Sequence, residues 1–179
     1  MVERLIERIR NKDQQAMKEF YLRYVETLSS VCHRYVPNHE DEKDVLQNSF
    51  VKILTSLPTI DYRGEVSFNS WMRKVVVNES LNLLRERKRL KWVSIDASNL
   101  QVEDNDVQEV SHLSPDELYR LICELPDGYR TVLNLYVVEG YSHKEIAEML
   151  GIKAGTSASQ LWYAKQRLAE RIKDLMKGK

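Results

Sequence analysis

Cysteine is nearly absent from this chain. Cys32 and Cys123 are the only two in 179 residues, each lies inside a helical pattern, and neither has a CxxC partner. A disulfide framework or thiolate metal site is therefore not expected, and both read as buried, reduced thiols. His33 beside Cys32 does not change this, because neighbours on a helix point to different faces. With six glycines, four prolines and little strand-like alternation, the sequence offers no β architecture. Helical periodicity runs through most of it, which predicts an all-α fold. No stretch approaches the roughly 18 consecutive apolar residues of a membrane span. The start, MVERLIERIRN, is an amphipathic charged helix without a signal-peptide core, so a cytoplasmic protein with no stable membrane insertion is expected. Four scattered histidines, no Ser/His/Asp grouping, no phosphate-binding glycine loop and no metal-ligand spacing leave no enzyme and no cofactor to expect.

A surplus of one charge sign is also missing: 27 basic side chains balance 27 acidic ones. The balance is a cancellation. Residues 85–91, RERKRLK, hold five basic side chains and one acid, and seven more follow Ile152 against only Glu170 and Asp174. From Trp92 to Tyr119 there is no Lys or Arg, while Asp96, Glu103, Asp104, Asp106, Glu109, Asp116 and Glu117 accumulate. Two basic ends are thus separated by an acidic bridge, and this polarity says more than the total. Residues 94–112 also have low hydrophobicity and no sustained period, the signature of an extended linker. Two small helical domains are predicted, residues 1–92 and 114–179, joined by an acidic flexible linker over 93–113.

Residues 142–168, SHKEIAEMLGIKAGTSASQLWYAKQRL, carry the punctuation of a helix-turn-helix. Ser142 and Glu145 form a capping box, Ile146, Ala147 and Leu150 recur at helical spacing, and Gly151 supplies a left-handed stop. After Ile152–Gly155, Thr156 is a plausible second cap. Leu161, Ala164, Leu168, Ile172 and Leu175 then keep one apolar stripe. The face opposite carries Ser157, Ser159, Gln160, Tyr163, Gln166 and Arg167, groups able to reach base edges or phosphates from the major groove. The same pattern also fits an ordinary helical hairpin of a bundle.

The N-terminal module reads as four helices. The first covers about residues 2–11, and the second starts after Asp13 and buries Met17, Phe20, Tyr21, Tyr24, Leu28, Val31 and Tyr35. The third follows Pro37 and Asn38 and ends near Ser56, with Leu46, Phe50, Ile53, Leu54 and Leu57 on one stripe. Its other face sets Asp44, Gln47 and Asn48 side by side. After the loop DYRGEVS, the fourth carries Phe68, Trp71, Met72, Val75 and Val76 inward. Tyr62 and Arg63, beside Gly64 in that loop, are the candidates for touching unstacked bases.

Five segments in order, DEKDVLQNSF, YRGEVSFNSWMRKVVVNESLNLLRER, ELPDGYR, GYSHKEIA and LGIKAGT, give the chain a resemblance to bacterial alternative sigma factors of the compact extracytoplasmic-function group. It covers about residues 13–175 except the linker. The resemblance implies a promoter-recognition subunit of RNA polymerase whose partners are the core polymerase, promoter DNA and an anti-sigma factor. It places Asp44, Gln47 and Asn48 on the polymerase clamp. Tyr62, Arg63, Gly64, Glu65, Ser67, Asn78, Asn82 and Arg85 fall on the surface that opens and reads the minus-ten element. Ser157, Ser159, Gln160, Tyr163, Lys165 and Arg167 fall on the helix that reads the minus-thirty-five element as duplex. The linker is expected to pass through the polymerase, where an acidic strand can occupy a basic channel. Asn48 stands where the family usually has an acid, and Asn82 where it often has Asp. Ala158, Gln160 and Tyr163 stand where many members have Lys or Arg, so fewer phosphate contacts and a weaker salt dependence are expected. The competing readings are a stand-alone helix-turn-helix regulator, which would need a dimer to read two half-sites, and a degenerate sigma-like adaptor.

Overall fold

A computed structural model describes residues 2–87, 90–92 and 113–177. The acidic stretch 93–112 lies outside the described residues, and with it the expected path and role of the linker. Among the described residues there is no strand, and the fold is all-α. Backbone contacts group the chain into two units, Met1–Arg87 and Lys88–Lys179. Residues 90–92 group with the second of them.

The first unit is built from α1 (Val2–Arg10), α2 (Gln14–His33), α3 (His39–Ser56), a short 3-10 turn at Leu57–Thr59, and α4 (Glu65–Glu86). Each start has a local cause. Asp13 caps α2 by accepting from the backbone N–H groups of Gln15 and Ala16. Asn38 does the same for α3 through Glu40 and Asp41, and three acids in the first turn complement the helix dipole. Those caps satisfy donors that no intrahelical carbonyl can reach. Phe20, Tyr24 and Phe68 form the centre of the core, with Phe20–Tyr24 ring centroids 4.8 Å apart and Phe68 edge-on to both at 6.2 Å. Leu28, Val31, Cys32, Tyr35, Ile53, Leu57, Met72, Val76, Leu81 and Leu84 complete it. α1 buries Val2, Leu5, Ile6 and Ile9 against α2 and the 3-10 turn.

Three residues assigned to this core, Tyr21, Trp71 and Val75, are corrected. Tyr21 is 45% exposed, with its ring lying 4.7 Å from Phe50 across the outside of the α2–α3 contact. Trp71 and Val75 are half-buried and line a surface cavity, while Val77 and Ser80 take the inward positions. Ser80 is tolerated there because its hydroxyl donates to the carbonyl of Val76 at 2.8 Å. Burial pushes the Cys32 thiol up to about 12, so it stays protonated and inert. Cys123 is raised in the same direction by burial.

The second unit contains α5 (Pro115–Cys123), α6 (Asp127–Leu133), which runs on into a wide π turn at Asn134–Val138, α7 (His143–Leu150) and α8 (Ala154–Lys177). Capping boxes open α5 (Ser114 with Glu117) and α7 (Ser142 with Glu145). Gly151 closes α7 at φ +67°, a conformation that costs a residue with a Cβ about 1–2 kcal/mol. α6 and α7 both pack on α8. Arg130, in the ELPDGYR stretch, is held by its surroundings: its guanidinium, 3% exposed, donates to the carbonyls of Cys123 at 3.2 Å and Leu125 at 2.6 Å and to the Asp127 carboxylate. It thereby ties the α5–α6 corner shut. Thr156 is not the cap expected of it, since α8 begins at Ala154 and Thr156 lies in its first turn.

Candidate nucleic-acid interface

On α3, Asp44, Gln47 and Asn48 are all exposed and share one face, which Val51, 56% exposed, extends by one turn. Asp44 lies 3.6 Å from the guanidinium of Arg87 at the end of α4, and Arg87 also binds the buried Asp41. The acid-rich start of α3 is thus held to the basic end of α4.

The loop between the 3-10 turn and α4 folds over a cavity of about 270 Å³ lined by Asp61, Tyr62, Arg63, Ser67, Phe68 and Trp71. The Tyr62 ring meets Phe68 edge-on at 5.7 Å. Arg63 is 77% exposed and its Nε donates to Asp61 at 2.8 Å. Gly64, at φ +94°, turns the chain into α4 with no side-chain cap on the first turn. Glu65 is drawn towards α2, where Arg23 lies 3.4 Å away.

A second, larger cavity of about 560 Å³ opens between α3 and α4, and Trp71 forms a wall of both. Asn78, Asn82 and Arg85 line it from α4, one turn apart. They are joined there by residues the sequence did not single out: Lys52, Thr55 and Ser56 of α3, and Glu79. The Lys52 ammonium donates to Glu79 at 2.6 Å, Asn82 Nδ2 donates to the same oxygen at 3.2 Å, and Arg85 donates to Asn82 Oδ1 at 2.9 Å. Hydropathy gave no signal for this chain of contacts, because it joins residues of two helices, Lys52 and Glu79, 27 positions apart in sequence. The i,i+3 spacing of Glu79, Asn82 and Arg85 was the available hint.

In the second unit, Lys165, Gln166 and Arg167 are exposed and Tyr163 is half-buried. Tyr163 stacks on Tyr129 at 5.8 Å and meets Trp162 edge-on at 4.9 Å. Ser157, Ser159 and Gln160 are a correction: all three are fully buried rather than presented to solvent. Ser157 and Gln160 extend the Leu161, Ala164, Leu168 stripe by one turn, so the buried face continues through polar residues that hydropathy assigned to the other side. Ser157 Oγ hydrogen-bonds His143 Nδ1 at 3.0 Å, and Ser159 Oγ donates back to the Gly155 carbonyl at 2.9 Å. Gln160 sits where α6 begins. A Cβ on Gly128 would lie 3.3 Å from Gln160 Oε1 and 2.6 Å from the Lys91 carbonyl, so the close approach demands glycine. His143 stacks on Tyr136 at 4.5 Å, and burial, with Lys165 nearby, holds its pKa below the ordinary value.

Among the described residues no group of His, Cys, Asp and Glu is arranged to hold a metal ion, and no helix is long and apolar enough to cross a membrane.

Residues 20–90 match the family model of Sigma-70 region 2, and residues 116–168 match that of Sigma-70, region 4. The ECF RNA polymerase sigma-E factor of Haemophilus influenzae is 31% identical over 96% of this chain and 95% of its own. That of Escherichia coli is 28% identical over 97% and 95%. Among solved structures, CnrH in complex with the cytosolic domain of CnrY aligns over 95% of this chain and 96% of its own, with 19% identity and a TM-score of 0.49. The two family models and a relative 31% identical over 96% of this chain converge on one conclusion. The chain belongs to the extracytoplasmic-function family of RNA polymerase sigma factors.

Proposed function

We propose that this alternative sigma factor divides promoter recognition between its units, with residues 1–92 serving the core polymerase and the melted minus-ten element. Residues 114–179 then read the minus-thirty-five element as duplex, and 93–113 connect the two. The observation that carries this reading is the pair of cavities on either side of Trp71. A cavity of about 270 Å³ under Tyr62 and Arg63 suits one extruded base, not duplex. Asn78, Asn82 and Arg85 supply hydrogen-bonding groups and a cation beside it. Gly64 and Glu65 act by shaping the loop and its anchorage on α2, and Asp44, Gln47 and Asn48 form the exposed face offered to the polymerase clamp. On α8, the duplex contacts fall to Tyr163, Lys165 and Arg167. Buried Ser157, Ser159 and Gln160 set the pose of the helix instead of touching bases. As a transcription initiation factor the protein has no catalysis of its own in this scheme and acts in the cytoplasm, with an anti-sigma factor as a further partner of its family type.

A pre-opened template tests the division. Ala substitutions at Tyr62, Arg63 and Asn78 should impair transcription from closed promoters and be partly rescued by a bubble over the minus-ten region, since the unstacking cost of a few kcal/mol per base is already met. Ala substitutions at Lys165 and Arg167 should weaken upstream binding, and the same bubble should restore little. Identical responses of both sets would overturn the division.

A further inference from the structure

Asn82 carries an amide whose two ends look alike in shape and opposite in hydrogen bonding. Its neighbours remove the ambiguity. A carboxylate only accepts and a guanidinium only donates, so Glu79 Oε1, 3.2 Å from Nδ2, and Arg85 Nη1, 2.9 Å from Oδ1, permit one orientation. Glu79 is itself held in place. Its side chain is 10% exposed and receives Lys52 of α3 at 2.6 Å. The Lys52 ammonium also offsets an acid that would otherwise repel a phosphate backbone.

We propose that Glu79 is a positioning residue that locks the Asn82 amide in one orientation and so sets which base the cavity between α3 and α4 accepts. The remaining N–H of Asn82 and the second lone pair of its oxygen are the groups left for a nucleobase edge. With the amide fixed, the donor always lies on the Glu79 side and the acceptor on the Arg85 side. A base whose edge presents the complementary order is accepted. One that presents the reverse order meets donor against donor and acceptor against acceptor, leaving those groups unpaired. Without Glu79 the amide is tethered only by Arg85, an exposed, long side chain that can swing away and release Oδ1, and rotation then lets the pocket tolerate more than one base. This inference rests on the reading of this α4 face as the minus-ten surface.

Two substitutions of equal charge separate the acceptor from the charge. Glu79→Gln keeps a carbonyl oxygen able to receive Nδ2, whereas Glu79→Met fills similar space and accepts nothing useful. The full chain, assembled with core RNA polymerase, is assayed for open-complex formation on promoters in which each minus-ten base is varied singly. Asn82→Ala marks the position that Asn82 reads, where the preferred base should lose roughly tenfold of its advantage, the discrimination of one good paired contact. Glu79→Met should lose at least threefold of that advantage at the same position and no other. Glu79→Gln should stay within twofold of the natural protein. Adding Glu79→Met to Asn82→Ala should produce no further loss. Equal losses for Gln and Met would show that charge, and not orientation, acts, and would overturn the proposal. So would an unchanged preference in Glu79→Met when Asn82→Ala abolishes it. An Asn82→Ala protein with every preference intact would overturn the minus-ten reading of this face together with the inference built on it.

Discussion

Replacing Arg130 by methionine should destabilise the second unit selectively. The guanidinium is 3% exposed and spends its donors on the Cys123 and Leu125 carbonyls and on Asp127, whose side chain is 18% exposed. Methionine fills part of the space but donates nothing. Two carbonyls and a largely buried carboxylate lose their partner, at about 1–3 kcal/mol for each buried group left unmet. Water can reach the Asp127 side, so the sum falls near the cost of breaking one buried pair, about 3–5 kcal/mol. That is a large share of the stability of a small domain, typically about 5–15 kcal/mol. Urea denaturation of the full chain is followed by tryptophan fluorescence in a Trp71→Phe background, where only Trp92 and Trp162 of the second unit report, while circular dichroism follows the helices of both units. With a slope near 1–3 kcal/mol/M, the transition of the second unit should drop by about 2 M while that of the first stays put. Asp127→Asn keeps both backbone bonds of Arg130 and should cost only about 1–2 kcal/mol. A loss below about 1 kcal/mol for Arg130→Met, or a matching shift of both transitions, would refute the argument that this arginine holds one unit's corner.

Two further outcomes are expected. Replacing Asp44 and Gln47 together by Ala should weaken binding to core polymerase while moving stability by about 0.5 kcal/mol or less, because both are exposed on α3; a pull-down on immobilised core and a melting curve of the same preparation check both halves. His143, depressed in pKa by burial and then by Lys165, stays neutral in the folded protein at neutral pH. The unfolded chain takes up its proton from about pH 6.5 downwards, so His143 favours folding above that pH and the benefit is lost as pH falls through its lower folded value. Melting of His143→Gln against the natural protein between pH 7.5 and 5 should show a shallower acid-side decline, and parallel curves would exclude the effect.

The helices and most of their ends were legible in the sequence because their causes are local. Asp13 and Asn38 cap within three residues, Ser142 and Glu145 close a box on each other, and Gly151 takes a positive φ that other residues avoid. The exposed Asp44, Gln47 and Asn48 face was legible for the same reason, being one helix with one apolar side. Hydropathy failed where burial and polarity part company. Ser157 and Gln160 lie on the inward stripe of α8 yet read as surface, and Tyr21 reads as core although the α2–α3 contact leaves its ring outside. A side chain's polarity reports what burial would cost in isolation, and a hydrogen bond from another helix, such as His143 to Ser157, removes that cost. The polar line from Lys52 through Glu79 and Asn82 to Arg85 depends on how α3 and α4 pack. The sequence by itself determined the helical class, the helix-turn-helix, the polarity of charge along the chain and the family. The tertiary structure alone decided which polar residues face inward and that Trp71 stands between two cavities. Periodicity tells each helix which side is apolar, and only packing between helices tells it what that side will meet.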